Sequence, residues 1–269
     1  MIIYSLINMK GGVGKTTIST NLAVEFAKKG LKVLFIDNDE QSNSSLFFDV
    51  VNKKMTLTDL YINPEISLKK ISYDTQYENI KCIPAGLDLN DILTLYLTDD
   101  KYAYKNIDKR FILKNKLLEI EDKYDICIMD NHPGMTVATY NGLMAANKVL
   151  IITTTDIYAE QGLKAMLEYF SSIKEERKKD DIYYDESILD KSLNLEGCLV
   201  NKYIYNPNFT KRKEYNYLKT NIRMVPRNKM FLLDKAVIEH KAAVEIMPKS
   251  NFAKDIKRLA NELIDNIIK

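Results

Sequence analysis

The sequence has little cysteine, no tryptophan and no long hydrophobic run. Its three cysteines, Cys82, Cys127 and Cys198, are far apart, and no Cys-x-x-Cys pair occurs. This spacing argues against a metal or cluster held by cysteines, and it predicts small buried thiols in a reducing compartment. No apolar run approaches the roughly 20 residues of a membrane-spanning helix, and the charged N-terminal segment is unlike a signal peptide. We therefore expect a cytoplasmic protein.

The sequence also lacks an excess of either positive or negative charge. The 269 residues include 39 Lys and Arg against 37 Asp and Glu, which gives a formal net charge of +2. The overall charge therefore neither requires nor excludes a nucleic-acid partner, and a basic face has to come from local clustering. The chain shows no internal repeat and no domain linker. We expect one domain over residues 1–269.

The most informative stretch is glycine-rich and lies between an apolar run at 2–7 and a helical run at 18–29. Strand, glycine-rich turn, lysine, hydroxyl and helix is the arrangement of a P-loop, whose backbone N–H groups and helix N-terminus bind phosphate oxygens. Lys15 is expected to reach the β and γ phosphates, and the Thr16 hydroxyl to bind Mg²⁺. The predicted nucleotide contacts here are Lys10, Gly11, Gly12, Val13, Gly14, Lys15, Thr16 and Thr17.

Strand-like and helix-like segments alternate along the rest of the chain. This alternation predicts an α/β fold with a doubly wound, mostly parallel sheet and flanking helices, of the P-loop NTPase type. The predicted strands are 2–7, 32–36, 80–84, 124–130, 148–154, 196–201 and 222–225. The predicted helices are 18–29, 58–61, 111–120, 137–147, 159–177, 210–219 and 252–268, with a further helix and loop within 86–105. Residues 175–194 are charged and predict a solvated loop or a helix extension.

Acidic residues follow two of these apolar strands. Asp130 ends one strand, and it is the predicted metal-side acid. Asp37 and Asp39 end a second strand, and both reach the γ-phosphate region if that strand lies beside the P-loop strand. We assign Asp39 to positioning or activating the attacking water and Asp37 to a metal contact. The predicted catalytic residues are thus Lys10, Lys15 and Asp39, and the predicted metal residues are Thr16, Asp37 and Asp130.

Together these motifs resemble the ParA/MinD group of deviant Walker A ATPases. The segments that carry the resemblance cover most of the chain, at 10–17, 36–43, 124–134, 156–163 and 225–228. Gln41 and Asn43 favour the partition branch of the group. The resemblance implies ATP and Mg²⁺ as cofactors, and it extends the nucleotide site to Asn201, Pro226 and Asn228.

The resemblance also implies partners. It implies a homodimer that closes over two ATP molecules, with Lys10 reaching across to the partner's nucleotide. It further implies non-specific DNA binding by the ATP-bound dimer, a centromere-binding ParB-type protein that stimulates hydrolysis, and association with the nucleoid. The predicted function is then an ATPase for plasmid or chromosome partition.

The sequence departs from the family pattern in three places. Glu40 replaces a proline in the segment at 36–43, and Asn131 with His132 replaces Thr-Pro. The third departure is that the P-loop strand begins at residue 2, so we expect no N-terminal helix-turn-helix.

Two faces of the chain bear on the choice between DNA and membrane. Clustered lysines and arginines favour DNA, since such clusters bind successive phosphates. The predicted DNA contacts are Lys211, Arg212, Lys213, Lys219, Arg223 and Lys229. The apolar stripe of the last helix (Ile256, Leu259, Leu263 and Ile267) predicts core packing, and hence no membrane partner.

Three other functions stay open at this point. One is a membrane-associated cell-division positioning ATPase of the MinD type. Another is a metal-cluster carrier, against which the unpaired cysteines argue. The last is a small-molecule kinase.

Overall fold

A computed structural model describes residues 1–91, 94, 109–155, 159–180, 193–203, 218–223 and 231–268. Within these ranges, eight strands form one sheet in the order β3-β4-β2-β5-β1-β6-β7-β8. The strands are β1 (Ile2–Ile7), β2 (Val33–Asn38), β3 (Tyr73–Asp74), β4 (Ile80–Ile83), β5 (Ile126–Asn131), β6 (Lys148–Thr153), β7 (Asn194–Tyr203) and β8 (Leu218–Arg223). All neighbouring pairs are parallel except β3 with β4. The predicted α/β class is confirmed.

Helices cover both faces of the sheet. The described helices are α1 (Lys15–Lys28), α2 (Asn43–Phe47), α3 (Leu57–Ile62), α4 (Leu68–Ile71), α5 (Ile112–Leu118), α6 (Val137–Ala145), α7 (Ala159–Asp180), α8 (Phe231–Ile238), α9 (Ala243–Ile246) and α10 (Asn251–Ile268). Helices α3 to α7 pack on one face, and α1, α2 and α8 to α10 pack on the other. Because both faces are covered, the central strands are almost wholly apolar and buried, as parallel strands of doubly wound folds are.

The strand order does not meet the condition under which Asp37 and Asp39 were expected to reach the γ-phosphate region. Strand β2 does not lie beside the P-loop strand β1, because β5 lies between them. The register instead pairs Asp37 with Asp130 and Asn38 with Asn131 across β2 and β5. Parallel strands end at the same edge of the sheet, so the acids of β2 and β5 meet there, next to the loop that follows β1.

Helix α1 begins at Lys15, three residues earlier than predicted. Gly14 precedes it with a φ of 89°, and Gly12 has a φ of 74°. Both values lie in the left-handed region, which glycine enters without steric cost. The spacing of glycines in the loop is therefore what lets the chain turn from β1 directly into the helix.

The other differences between the predicted and the observed elements lie outside the motifs. Residues 210–217 of the predicted helix 210–219 lie outside the described residues, and Leu218 with Lys219 belongs to β8, so this end of the helix prediction was wrong. Residues 222–223 of the predicted strand 222–225 belong to β8, and residues 224–225 lie outside the described residues. Strand β3 and helices α2, α4, α8 and α9 were not predicted. They are short, and their apolar residues make too few turns to show a period.

The remaining sequence expectations concern buried surfaces. Cys82, Cys127 and Cys198 are buried free thiols on β4, β5 and β7, as predicted. Ile256, Leu259 and Leu263 of α10 are fully buried in the same cluster as the core of α1, which confirms core packing for these three positions. Within the described ranges, no helix combines the length and the apolar character that crossing a membrane requires.

Candidate functional site

A cavity of about 560 Å³ opens over the P-loop at the carboxyl edge of the sheet. Its walls come from the loop, from α1, from the segment after β2 and from α8. All eight predicted loop residues line it: Lys10, Gly11, Gly12, Val13, Gly14, Lys15, Thr16 and Thr17. A glycine-rich turn leading into a helix N-terminus offers this cavity several backbone N–H donors, which is a setting for phosphate.

Lys15 lies at the base of the cavity and is only 6% exposed. Its Nζ is 3.4 Å from Oδ1 of Asp130 at the end of β5. The other carboxylate oxygen of Asp130 accepts a hydrogen bond of 2.6 Å from the Ser44 hydroxyl of α2. The P-loop lysine is thus joined to the acid predicted on the metal side, and α2 holds that acid from the opposite direction.

Asp37 is fully buried beside Asp130. Its Oδ2 accepts two hydrogen bonds of 2.7 Å, from the backbone N–H and from the hydroxyl of Ser45. Burial and, after it, the nearby charge of Asp130 together raise the pKa of Asp37 to about 7. Lys15 pairs with Asp130, and Asp37 has no cation of its own beside it among its described partners, which is why its carboxyl keeps a proton up to a higher pH than usual. A bound cation would favour the ionised form of Asp37.

Asp39 follows β2 and lines the cavity. It is 6% exposed, and its Oδ1 accepts a hydrogen bond of 3.1 Å from the backbone N–H of Gln41. Burial raises the pKa of this carboxyl, while the Gln41 N–H and the charge of Lys15 act in the opposite direction. Asp39 is therefore the acid of this edge that lies on the cavity itself.

Two of the three departures from the family pattern, at Glu40 and at Asn131 with His132, lie next to each other in this structure. His132 Nε2 lies 4.0 Å from the carboxylate of Glu40, and the His132 backbone N–H donates to the carbonyl of Asn38. Beneath them, the Asn38 side-chain amide donates to Asn131, whose own amide donates to Ser5 and to the carbonyl of Leu6. These buried amides tie β1, β5 and β2 together under the site. Their positions in the sequence did not indicate this network, because it depends on the order of the strands.

Strand β7 contributes two side chains to the P-loop. Asn201 Nδ2 donates to the carbonyl of Val13 at 2.7 Å, and Lys202 Nζ donates to the carbonyl of Gly12 at 2.7 Å. A Cβ on Gly14 would clash with the Asn201 amide. The predicted nucleotide residue Asn201 therefore lies against the loop backbone. Lys202, which lines the cavity, was missed by sequence reasoning.

Some predicted residues cannot be placed in this site. Pro226, Asn228, Lys211, Arg212, Lys213 and Lys229 lie outside the described residues. Lys219 and Arg223 lie on β8, which is the last strand on one side of the sheet as described. The predicted DNA contacts therefore remain predictions.

The described residues fit ATP with Mg²⁺. The cavity offers a phosphate loop, a buried lysine and Asp39 on its wall, and Asp130 pairs with that lysine. In the part of the chain that the structure describes, no three His, Cys, Asp or Glu side chains group as a metal site of their own. Mg²⁺ is usually held by one or two carboxylates together with substrate phosphates and water, and Asp37 and Asp130 offer two adjacent carboxyl groups.

A family model described as an AAA domain, AAA_31, matches residues 1–183, which is more than half of the chain. The chain belongs to the AAA_31 family. This AAA_31 protein is similar to the chromosome-partitioning ATPase Soj of Treponema pallidum, with 35% identity over 162 residues and 60% of each chain covered. The match thus spans less than two thirds of the Treponema protein.

Similarity over the full length is found as well. The sporulation initiation inhibitor protein Soj of Bacillus subtilis is 27% identical over 271 residues, with 98% of each chain covered. Among solved structures, the septum site-determining protein MinD of Pyrococcus horikoshii, complexed with Mg-ADP, has a TM-score of 0.71 at 22% identity. That match covers 97% of this chain and 95% of the MinD chain, and it confirms the fold.

The AAA_31 protein is therefore a P-loop ATPase of the ParA/MinD superfamily, as the motifs predicted. The Mg-ADP of the MinD neighbour agrees with ATP and Mg²⁺ as the cofactors of this kind of ATPase.

Proposed function

We propose that this chain binds and hydrolyses Mg²⁺–ATP to drive partition of a plasmid or a chromosome. The observation that carries the proposal is the convergence of Lys15, Asp130 and Asp37 beside the P-loop, with Asp39 on the cavity wall. Such an arrangement combines phosphate binding with acids that suit a metal and a water molecule. The similarity to the chromosome-partitioning ATPase Soj of Treponema pallidum supports the partition role.

Each site residue has a separate role in this proposal. Lys15 and the loop N–H groups bind the β and γ phosphates, while Thr16, Asp37 and Asp130 form the protein side of the Mg²⁺ site. Asp39 orients the attacking water. When bound, Mg²⁺ would neutralise the negative charge that develops on the transferred phosphoryl group. Asn201, Pro226 and Asn228 complete the nucleotide site.

Lys10 is proposed to act across a homodimer. It lines the mouth of the cavity and is exposed, whereas Lys15 fills the base. The Lys10 backbone N–H donates to the Asn8 side chain, which orients the start of the loop. The exposure of Lys10 at its own cavity supports a contact with the phosphates of a second subunit. ATP binding would then decide whether two chains join.

The DNA and partner steps follow from this switch. A dimer doubles the number of basic residues that contact DNA, so its affinity rises through release of more counterions. We propose that the ATP-bound dimer binds DNA without sequence preference and associates with the nucleoid in the cytoplasm. A centromere-binding ParB-type protein would stimulate hydrolysis and release the dimer. We further propose that residues 1–269 act as a single domain.

Sedimentation velocity tests the dimer switch. The protein should be a monomer without nucleotide and with Mg²⁺–ADP, and a dimer with Mg²⁺–ATP or a non-hydrolysable analogue. Lys10→Ala should still bind ATP but remain a monomer. Lys29→Ala, which removes an exposed lysine after α1, is the matched control and should behave as the wild type. A dimer in all three nucleotide states, or a dimer of Lys10→Ala, would contradict the proposal.

The second candidate is a positioning ATPase of the MinD type, which the fold match to MinD favours. The buried stripe of α10 supports the first candidate instead, because Ile256, Leu259 and Leu263 are already used in the core. Co-sedimentation with anionic phospholipid vesicles in the presence of ATP separates the two. Vesicle binding by a protein that does not bind DNA would replace partition with positioning.

A further inference from the structure

The carboxyl end of β7 is irregular where it approaches the P-loop. Between Val200 and Tyr203, β7 has one residue more than the facing segment of β8, which runs from Asn221 to Arg223. Lys202 has a φ of 52°, in the left-handed region that residues with a Cβ seldom adopt. This is a β-bulge, and bulges near active sites change the direction of a side chain.

The bulge explains how two consecutive side chains reach one loop. In a regular strand, successive side chains point to opposite faces of the sheet. Here Asn201 and Lys202 donate to the carbonyls of Val13 and Gly12, which are also consecutive. The left-handed backbone at Lys202 therefore places both donors on the P-loop.

These two hydrogen bonds orient the peptide groups of the loop. In a trans peptide the N–H points opposite to the C=O of the same unit. With the carbonyls of Gly12 and Val13 directed at β7, the N–H groups of Val13 and Gly14 are turned away from β7. That orientation leaves them available as donors to phosphate oxygens.

We propose that Lys202 is a positioning residue for the phosphates of the bound nucleotide. Together with Asn201 it fixes the peptide groups that follow Gly12 and Val13, and its ammonium adds positive charge to the wall of the phosphate cavity. The left-handed backbone at this position directs the ammonium to the loop. The inference rests on the proposed nucleotide site and assigns it a residue from a strand distant in sequence.

Three substitutions separate the effect of the side-chain donor from the effect of the left-handed backbone. Lys202→Met keeps the length of the side chain and removes the donor, whereas Lys202→Arg keeps a charged donor. Lys202→Gly removes the donor and also relieves the left-handed φ. Lys241→Met removes an exposed lysine that pairs with Glu239 and serves as the control. Calorimetric titration with Mg²⁺–ATP and Mg²⁺–ADP, competition by inorganic pyrophosphate, and thermal unfolding are measured for each.

The Met and Gly variants should bind ATP, ADP and pyrophosphate about tenfold more weakly, the effect of losing a hydrogen bond from a charged donor. The Arg variant should recover most of the affinity, and the control should match the wild type. The Gly variant should unfold at a temperature no lower than that of the Met variant. Its weaker binding would then not result from a loss of stability.

Unchanged ATP affinity in Lys202→Met would overturn the inference. The inference would also be overturned if Lys202→Met bound ATP and ADP more weakly but bound pyrophosphate as the wild type does. Lys202 would then act on the base or the sugar and not on the phosphates. A wild-type protein that binds no ATP would instead refute the proposed function itself, so the two failures are distinct.

Discussion

Asp37 makes the stability of the nucleotide-free protein depend on pH. Its folded-state pKa is about 7, against 3.8 for an ordinary aspartate, because the carboxyl is buried beside Asp130. The folded protein therefore holds a proton that the unfolded chain has lost, and the free energy of unfolding falls as pH rises from about 4 to about 7. About three pKa units at 1.36 kcal/mol each amount to about 4 kcal/mol, of which about 2–3 kcal/mol falls between pH 5 and pH 8.

The substitution Asp37→Asn removes this titration. The asparagine oxygen can still accept from the backbone N–H and the hydroxyl of Ser45, so the packing is largely kept. Urea unfolding without nucleotide is measured at pH 5, 6.5 and 8. The free energy of unfolding should fall with pH in the wild type, and between pH 5 and pH 8 this fall should be smaller by about 2–3 kcal/mol in the variant. Asp265→Asn, at an exposed site on α10, should keep the wild-type pH dependence. Equal pH dependence in Asp37→Asn and the wild type would refute the assignment of the raised pKa.

Three further substitutions test the site. Lys15→Ala should abolish nucleotide binding in calorimetry while the fold is kept by circular dichroism; retained ATP binding would remove Lys15 from its role. Asp39→Ala should retain ATP and accumulate dimers while phosphate release falls at least tenfold, and an unchanged turnover would reject the assigned role. Gly14→Ala forces a side chain into a φ of 89° and against Asn201, so ATP binding should fall at least tenfold, with Gly11→Ala, where a Cβ meets nothing within 4 Å, as the milder comparison.

The parts of the site that are local in sequence were predictable. The P-loop and the acids at strand ends follow from residue types at fixed spacing, and the structure brings Lys15, Asp37 and Asp130 together. Alternation of apolar and amphipathic segments was enough for the α/β class. These features depend on backbone geometry over a few residues, which the sequence displays directly.

The parts that depend on strand order were not predictable. Nothing in the local pattern shows that β5 inserts between β1 and β2, so the pairing of Asp37 with Asp130 required the structure. Lys202 lies 190 residues from Gly12, and its contact depends on a bulge that arises from pairing with β8. Helix α2 is only five residues long, so Ser44 and Ser45 gave no signal of their hydrogen bonds to the two acids.

Under the proposed function, ATP switches this protein between a free and a DNA-bound form. This switch is tested most directly by fluorescence anisotropy with random-sequence duplex DNA, without nucleotide, with Mg²⁺–ADP and with a non-hydrolysable ATP analogue, over a range of salt concentrations. Binding should occur only with the ATP analogue and should weaken steeply as salt rises, because phosphate contacts release counterions. Equal DNA affinity in all three nucleotide states would contradict the claim.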